Sequence, residues 1–230
     1  MDDVVLERLL HGRFSCRAFL PDEVPGGTIR RLFALGQRTA SWCNSQAWLV
    51  HLTSGERTAQ FARELTEHAR THAPQPDLAA PAAYEGDYLA RRRAAGFGLY
   101  RAVGVARDDL AGRGRQMMEN FRFFGAPHVA VISSPRSLGI YGAVDCGGYV
   151  ATLLTVAQSL GLGTIAQAAI AMHADFVHEF LQIPEDRSIV CAVSFGYADP
   201  AHPANGFRTD RADVSATVVG LPGPVRPEAF

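Results

Sequence analysis

Arg13-Phe14-Ser15-Cys16-Arg17-Ala18-Phe19 sets two guanidinium groups four residues apart with a hydroxyl midway between them. A guanidinium is a planar fork of donors that stays charged in a protein and matches phosphate oxygens two at a time. Two such forks and a Ser could together hold one phosphate monoester. They could equally be exposed cations at a helix end, where charged side chains usually lie. Their company along the chain decides.

Upstream, Asp3 can cap a short helix with Val4, Val5, Leu9 and Leu10 on one face, which delivers the chain to Arg13. The acidic start, Met1-Asp2-Asp3, is unlike a signal peptide, and no continuous apolar run reaches the ~18 residues that a bilayer crossing needs. The expectation is a soluble, cytoplasmic protein with no membrane partner. With 47% hydrophobic residues in 230, the chain can bury a proper core, and it reads as a single domain over 1–230. Lys and Arg number 22 against 23 Asp and Glu, which lacks the basic excess of a nucleic-acid binder. Cys16, Cys43, Cys146 and Cys191 lie far apart, and each reads as a small buried hydrophobe in a reducing compartment.

Downstream, Pro21 and Pro25-Gly26-Gly27 mark a turn, and Thr28 is placed to cap a helix carrying Ile29, Leu32, Phe33 and Leu35. A polar loop, residues 39–46, precedes an expected strand from Ala47 to Leu52 and a charged helix from Arg57 to about His72. Residues 73–81 turn Pro- and Ala-rich. They open an excursion, 73–124, through Tyr84, Tyr88, Arg91-Arg92-Arg93, Phe97 and Tyr100. Gly96, Gly98 and Gly104 weaken the helix expected there, and helical periodicity returns from about Asp108 to Phe124. A long insert rich in aromatics and Arg suits a lid or binding loop, or simply a solvated helical hairpin. His128 to Ser133 reads as a buried strand, and Asp145 to Leu160 as a core helix ended by Gly161. A loop from Ile165 to Ala171, a helix capped by Asp175 and a strand from Ser188 to Phe195 complete the pattern. Helices mixed with few strands mean α+β or an irregular α/β fold.

Several chemistries lack their residues. There is no G-x-G-x-x-G after a strand, no Walker A segment and no G-x-S-x-G elbow. The eight histidines read as dispersed without a ligand cluster, so no metal is expected. A Cys43 nucleophile has only its loop position behind it. What remains is a set of polar patches at Arg13–Arg17, Asn44–Gln46 and Arg208–Arg211, plus Gly161-Leu162-Gly163-Thr164. Singly, a satisfied turn, a solvated tail or a helix C-cap explains each.

In their order and spacing these segments resemble the FMN-dependent nitroreductase family. Arg13-x-Ser15-x-Arg17-x-Phe19 is like its opening motif, and Asn44-Ser45-Gln46-Ala47-Trp48 like its N-S-Q-P-W. Gly161 to Thr164, then Gln167-Ala168-Ala169 and Leu181-Gln182-Ile183-Pro184-Glu185-Asp186, match its C-terminal half. Phe195 to Asp199 and Asn205-x-Phe207-Arg208-Thr209-x-Arg211 resemble its closing segments. The long excursion, ending in Asn120 to Pro127, is similar to the branch that includes nitrobenzoate reductases. Pro gives way to Ala at Ala47 and Ala166, which loosens two loops without removing a reactive group.

The resemblance implies an α+β nitroreductase-like fold, with a central mixed sheet flanked by helices in an intertwined homodimer. It implies FMN as cofactor and NAD(P)H as donor, with nitroaromatic or nitrobenzoate-like compounds reduced by ping-pong hydride transfer through flavin N5. Arg13 would grip the phosphate, with Phe14 and Ser15 beside it, and Arg17 would reach the N1/C2=O edge. Arg208 and Arg211 would close the phosphate pocket. Asn44, with Gln46, would approach from the partner subunit, and Ala166, Gln167, Ala168 and Ala169 would pass a backbone N–H to N5. Trp42, Phe123 and Phe124 are candidates for stacking on the ring, and Tyr84, Tyr88 and Arg92 for lid contacts with a small aromatic substrate. No side-chain catalyst is needed. Dehalogenation, quinone or enone reduction, flavin destruction, a non-catalytic flavin-binding homodimer and a cofactor-free scaffold stay open.

Overall fold

Val129-Ala130-Val131-Ile132 is the centre of the molecule. Val129 and Val131 pack to one side of a sheet, and Ala130 and Ile132 to the other. A strand buried on both faces needs helices on both faces. The computed structural model describes residues 2–222. Four strands, β1 (Leu49–Ser54), β2 (His128–Pro135), β3 (Gly163–Gln167) and β4 (Arg187–Gly196), pair in the order β1-β2-β4-β3. On one face, α3 (Gly55–Thr71) and a later helix (Ala174–Leu181) bring Phe61, Leu65 and Val177 against β2 and β4. On the other, α2 (Gly26–Gly36) and a long helix (Gly139–Ser159) bring Leu32, Tyr149 and Leu153 against Ala130, Ile132, Val193 and Phe195. The remaining helices are α1 (Asp2–Gly12), α4 (Gly86–Ala102), α5 (Leu110–Met118) and the single turn α7 (Ala168–Ala171), which makes the two later helices α6 (Gly139–Ser159) and α8 (Ala174–Leu181).

The α+β class holds, with one change to the sheet. All three strand pairings are antiparallel, and the parallel pairings are isolated bridges, Ser15 with Thr164 and Gln75 with His173. A mixed sheet would need a full strand outside β3. Within the described residues Ser15 makes only a single bridge there. The β2–β4 register slips between Ile132 and Ser133, leaving Val190 as an extra residue on β4.

Several boundaries also move. Pro25 rather than Thr28 precedes α2, and its carbonyl accepts the Thr28 and Ile29 N–H groups at 2.8 and 3.1 Å. The strand expected at Ala47 starts at Leu49, and Asp175 lies inside the first turn of α8 instead of capping it. The expected loop from Ile165 to Ala171 is the end of β3 plus α7. Helix α4 runs through Gly96 and Gly98. At Gly98 the missing side chain is used, because a Cβ would sit 2.5 Å from the Phe207 ring. Helix α5 stops at Met118, and the chain turns through Phe123 and Phe124, both with positive φ.

Two helices carry apolar faces that the chain itself leaves bare. Helix α1 buries nothing and exposes Val4, Val5, Leu6 and Leu10; α6 exposes Ile140, Tyr141 and Val144 at its start. The segment Arg136–Ser159 is long and apolar enough by composition to cross a membrane, contrary to expectation. One face of α6 packs in the core, through Tyr149, Val150, Leu153 and Ala157. Its buried Asp145 accepts the Trp42 N–H and the Ser45 hydroxyl, which ties the 42–46 loop down.

Candidate functional site

Arg13–Arg17 leaves α1 and lies along the outer edge of β3. The Cys16 N–H donates to the Thr164 carbonyl at 2.9 Å, and Ser15 bridges Thr164. Such close approach requires Gly163, where a Cβ would meet Cys16 Sγ at 3.0 Å and Ala198 Cβ at 3.1 Å. Cys16 is fully buried, and burial raises its thiol pKa to about 11, so it serves as packing. The edge of β3 thus sets Ser15 and Cys16 beside Thr164, two residues before Ala166.

The tail then closes over the motif. Asn205, buried, accepts the Arg17 N–H through Oδ1 at 2.7 Å and donates through Nδ2 to the Ala18 and Asp199 carbonyls, both at 2.8 Å. Beyond it the chain carries Phe207, Arg208, Thr209 and Arg211 back across Arg13–Arg17. The result is a cleft of ≈ 230 Å³ lined by Arg13, Ser15, Arg17, Arg208, Arg211 and Phe14, among others. No carboxylate lines it, and no Asp or Glu pairs with any of its four arginines among the described residues. Arg208 lies over the Phe14 ring at 3.9 Å and donates to the Asn205 and Phe207 carbonyls. Arg211 donates to Thr209 and to the Asp210 carbonyl. Arg17 donates to the Ser15 carbonyl at 3.1 Å. Desolvation lowers its pKa, opposed by Cys16, without threatening its charge. Four like charges held together without a counter-charge are repulsive, and an anion removes the penalty.

Arg17 also borders a second cleft of ≈ 520 Å³ containing Phe19, Phe124, Gly125 and Arg115. Arg208 and Arg211 border a third, ≈ 920 Å³, between the tail and the Asp87–Ala95 face of α4. The expected lid therefore faces the arginine cleft, with a different set of residues from that expected. Asp87, Ala90 and Arg91 line the groove, whereas Tyr84, Tyr88 and Arg92 do not. Arg92 instead lies over Tyr84, and Tyr88 is largely exposed.

Other expected residues are placed differently. Gln167 spends its side chain inside the protein, on the Ser194 hydroxyl and the Asn120 carbonyl. Ala166 and Ala168 are exposed, and Ala168 opens α7, where a first-turn N–H has no intrahelical partner. Phe123 is fully buried against Phe61, ring centroids 4.9 Å apart, so it cannot stack on a ligand; Phe124 is buried but borders the Arg17 cleft. Asn44, Gln46 and Trp42 are exposed and do not line the arginine cleft. Their loop is held by Gln37, which donates to Gln46 Oε1 and accepts from Trp48 Nε1, and Trp42 meets Tyr141 edge-on. Cys43, expected to be buried, is exposed, and Cys191 is only partly covered. Sequence reading quoted Asn205 without giving it a role; its only signal was its place four residues after Ala201 in the arginine-bearing tail.

The model of the nitroreductase family matches residues 10–197 of this chain. The chain belongs to the nitroreductase family. Among relatives of this nitroreductase is nitroreductase NfnB of Mycolicibacterium smegmatis (strain ATCC 700084 / mc(2)155), 37% identical over 212 residues, 92% of this chain and 90% of the relative. A 4-nitrobenzoate reductase of Nocardioides sp. (strain LMS-CY) is 33% identical over 225 residues, 94% of this chain and 89% of the relative. The crystal structure of the FMN-dependent nitroreductase NfnB from Mycobacterium smegmatis in complex with NADPH superposes with a TM-score of 0.92. It is 34% identical and covers 96% of this chain and 100% of that one.

Proposed function

We propose that this nitroreductase binds FMN, takes electrons from NAD(P)H and reduces nitroaromatic compounds of the nitrobenzoate type, working as a cytoplasmic homodimer. The observation that carries the reading is the cleft of four arginines without a carboxylate, which suits a phosphate dianion. Arg13, Arg208 and Arg211 would hold that phosphate with the Ser15 hydroxyl. Arg17, shared with the neighbouring cleft, can present a cation to the pyrimidine edge of the ring. The Ala168 N–H, in the first turn of α7, would donate a hydrogen bond to the ring. FMN bound here supplies two-electron transfer from the nicotinamide to an electrophilic aromatic. The chain's own part is to hold, orient and polarise, and it supplies no nucleophile.

A second copy supports the reading in two ways. Asn44 and Gln46 lie outside the arginine cleft of their own chain. The bare apolar residues of α1, and those at the start of α6 with Trp42 beside Tyr141, are surfaces that water does not favour. Pairing of two copies through these surfaces would cover them and bring Asn44 of one copy toward the cleft of the other. Arg91, on the groove-facing side of α4 and paired there with Asp87 at 3.3 Å, would favour a carboxylate-bearing substrate.

The test is anaerobic. FMN-loaded protein should bleach with NADPH and regain its oxidised spectrum when 4-nitrobenzoate is added. Bleaching without reoxidation by any nitroaromatic, but with reoxidation by quinones or halophenols, would replace the substrate class. No bleaching by either nicotinamide would leave a flavin-binding protein and overturn the enzyme.

A further inference from the structure

His68 and His72 lie four residues apart on α3, so their side chains share one face of the helix. The reading of the histidines as dispersed passed over this pair. Their rings stack in parallel with centroids 4.1 Å apart. Folding then brings a third histidine, His173, just before α8, and Asp175 in the first turn of α8. One ligand atom from each of His68, His173 and Asp175 lies within 4.8 Å of the others.

Two nitrogens of this cluster have no hydrogen-bond partner. His173 is 3% exposed, yet its Nδ1 is buried without a hydrogen-bond partner. His68 Nε2 is also buried and unpartnered; it lies 3.4 Å from Asp175 Oδ2 without hydrogen-bond alignment. A buried polar atom left without a partner is unfavourable, so two in one cluster call for an occupant. Water can satisfy one lone pair. A divalent cation satisfies both nitrogens and the carboxylate together.

We propose that His68, His173 and Asp175 form a binding site for a zinc ion, with water completing the coordination. Two neutral imidazoles and a carboxylate are the donor set of a borderline cation, and three protein ligands leave an open position. Tetrahedral ligands at zinc bond lengths of about 2.0–2.1 Å lie ~3.4 Å apart, the separation already present between His68 Nε2 and Asp175 Oδ2. The Phe121 ring, edge-on to His173 at 5.2 Å, and Phe176, 5.0 Å from His68, wall the site on its apolar side. Asp175 remains about a third exposed and gives the entry path.

The ion would clamp the end of α3 to the start of α8, two elements from the same face of the sheet. It lies apart from the arginine cleft, with which it shares no residue. Its expected effect is on stability.

The experiment uses FMN-loaded protein stripped with EDTA and titrated with zinc chloride. Calorimetry should give one ion per chain, and zinc at a hundredfold excess over its Kd should raise Tm by about 5–10 °C. His68→Gln and Asp175→Asn, both at partly exposed positions, should retain FMN and each weaken zinc binding by at least about tenfold. Absence of saturable zinc binding in the wild type overturns the proposal. So does zinc binding of equal affinity in both variants, which would place the ion elsewhere.

Discussion

Asn205→Ala tests how the tail holds the arginine motif. The Asn205 side chain makes three hydrogen bonds of 2.7–2.8 Å from a buried position, accepting from the Arg17 N–H and donating to the Ala18 and Asp199 carbonyls. At about 1 kcal/mol net for each, their loss costs about 3 kcal/mol, and more where a partner stays buried and unpaired. The same change frees the backbone at Arg17, and about 1.4 kcal/mol of lost positioning is tenfold in Kd. Urea unfolding at fixed protomer concentration should show the full stability loss without FMN. Flavin titration of the folded variant should show FMN binding weakened by about tenfold. A variant within about 0.5 kcal/mol of wild type, with unchanged FMN affinity, would refute the claim that Asn205 ties the tail to the motif.

Phe123→Ala should lower stability by about 3–5 kcal/mol, as for a core aromatic, while leaving the turnover of correctly folded, FMN-loaded protein near wild type; a selective loss of kcat would restore Phe123 as a ring contact. Stability of metal-stripped protein should fall as pH drops below about 6.5. Burial holds His128 below its ordinary pKa, opposed by Glu23. Its Nε2 accepts the Val24 N–H at 2.9 Å, so it is neutral when folded. The unfolded chain then binds the proton first, and stability present above about pH 6.5 is lost on acidification. His51 and His173 are shifted the same way. Urea midpoints at pH 7.5 and 5.5 measure this, and an equal or higher midpoint at pH 5.5 would contradict it.

The arginine cleft was legible in the sequence only through the order and spacing of its segments, since each arginine taken singly read equally as a surface cation. The distance along the chain between Arg13, Ser15 and Arg17 and the later Arg208 and Arg211 is closed by β3 and Asn205. The lid was legible as an insert but not residue by residue, because α4 has a weak apolar period and either of its faces could have turned inward. Phe207 filling the space above Gly98 decides which one does, and that contact is long-range. Phe123 and Phe124 look alike in sequence, yet their left-handed turn drives the first into the core against Phe61 and leaves the second at a cleft wall. The histidine cluster failed differently. Half of it, His68 and His72, was readable as a helical pair, but His173 and Asp175 join it only through packing of α8 on α3. Asn44 is exposed and lies outside the arginine cleft of its own chain, so the role that the resemblance implies for it has no counterpart within one copy.

The central claim is that four arginines around one cleft hold the phosphate of FMN. It is tested most directly by measuring Kd for FMN and for riboflavin, which lacks the phosphate, on wild type and on Arg13→Ala. Charge-assisted bonds of about 1.5–3 kcal/mol each predict FMN binding at least ~100-fold tighter than riboflavin in the wild type. That ratio should shrink by about tenfold or more in Arg13→Ala, with riboflavin affinity unchanged. Equal affinities for the two flavins, or a ratio indifferent to Arg13, would contradict the account and return these arginines to the surface.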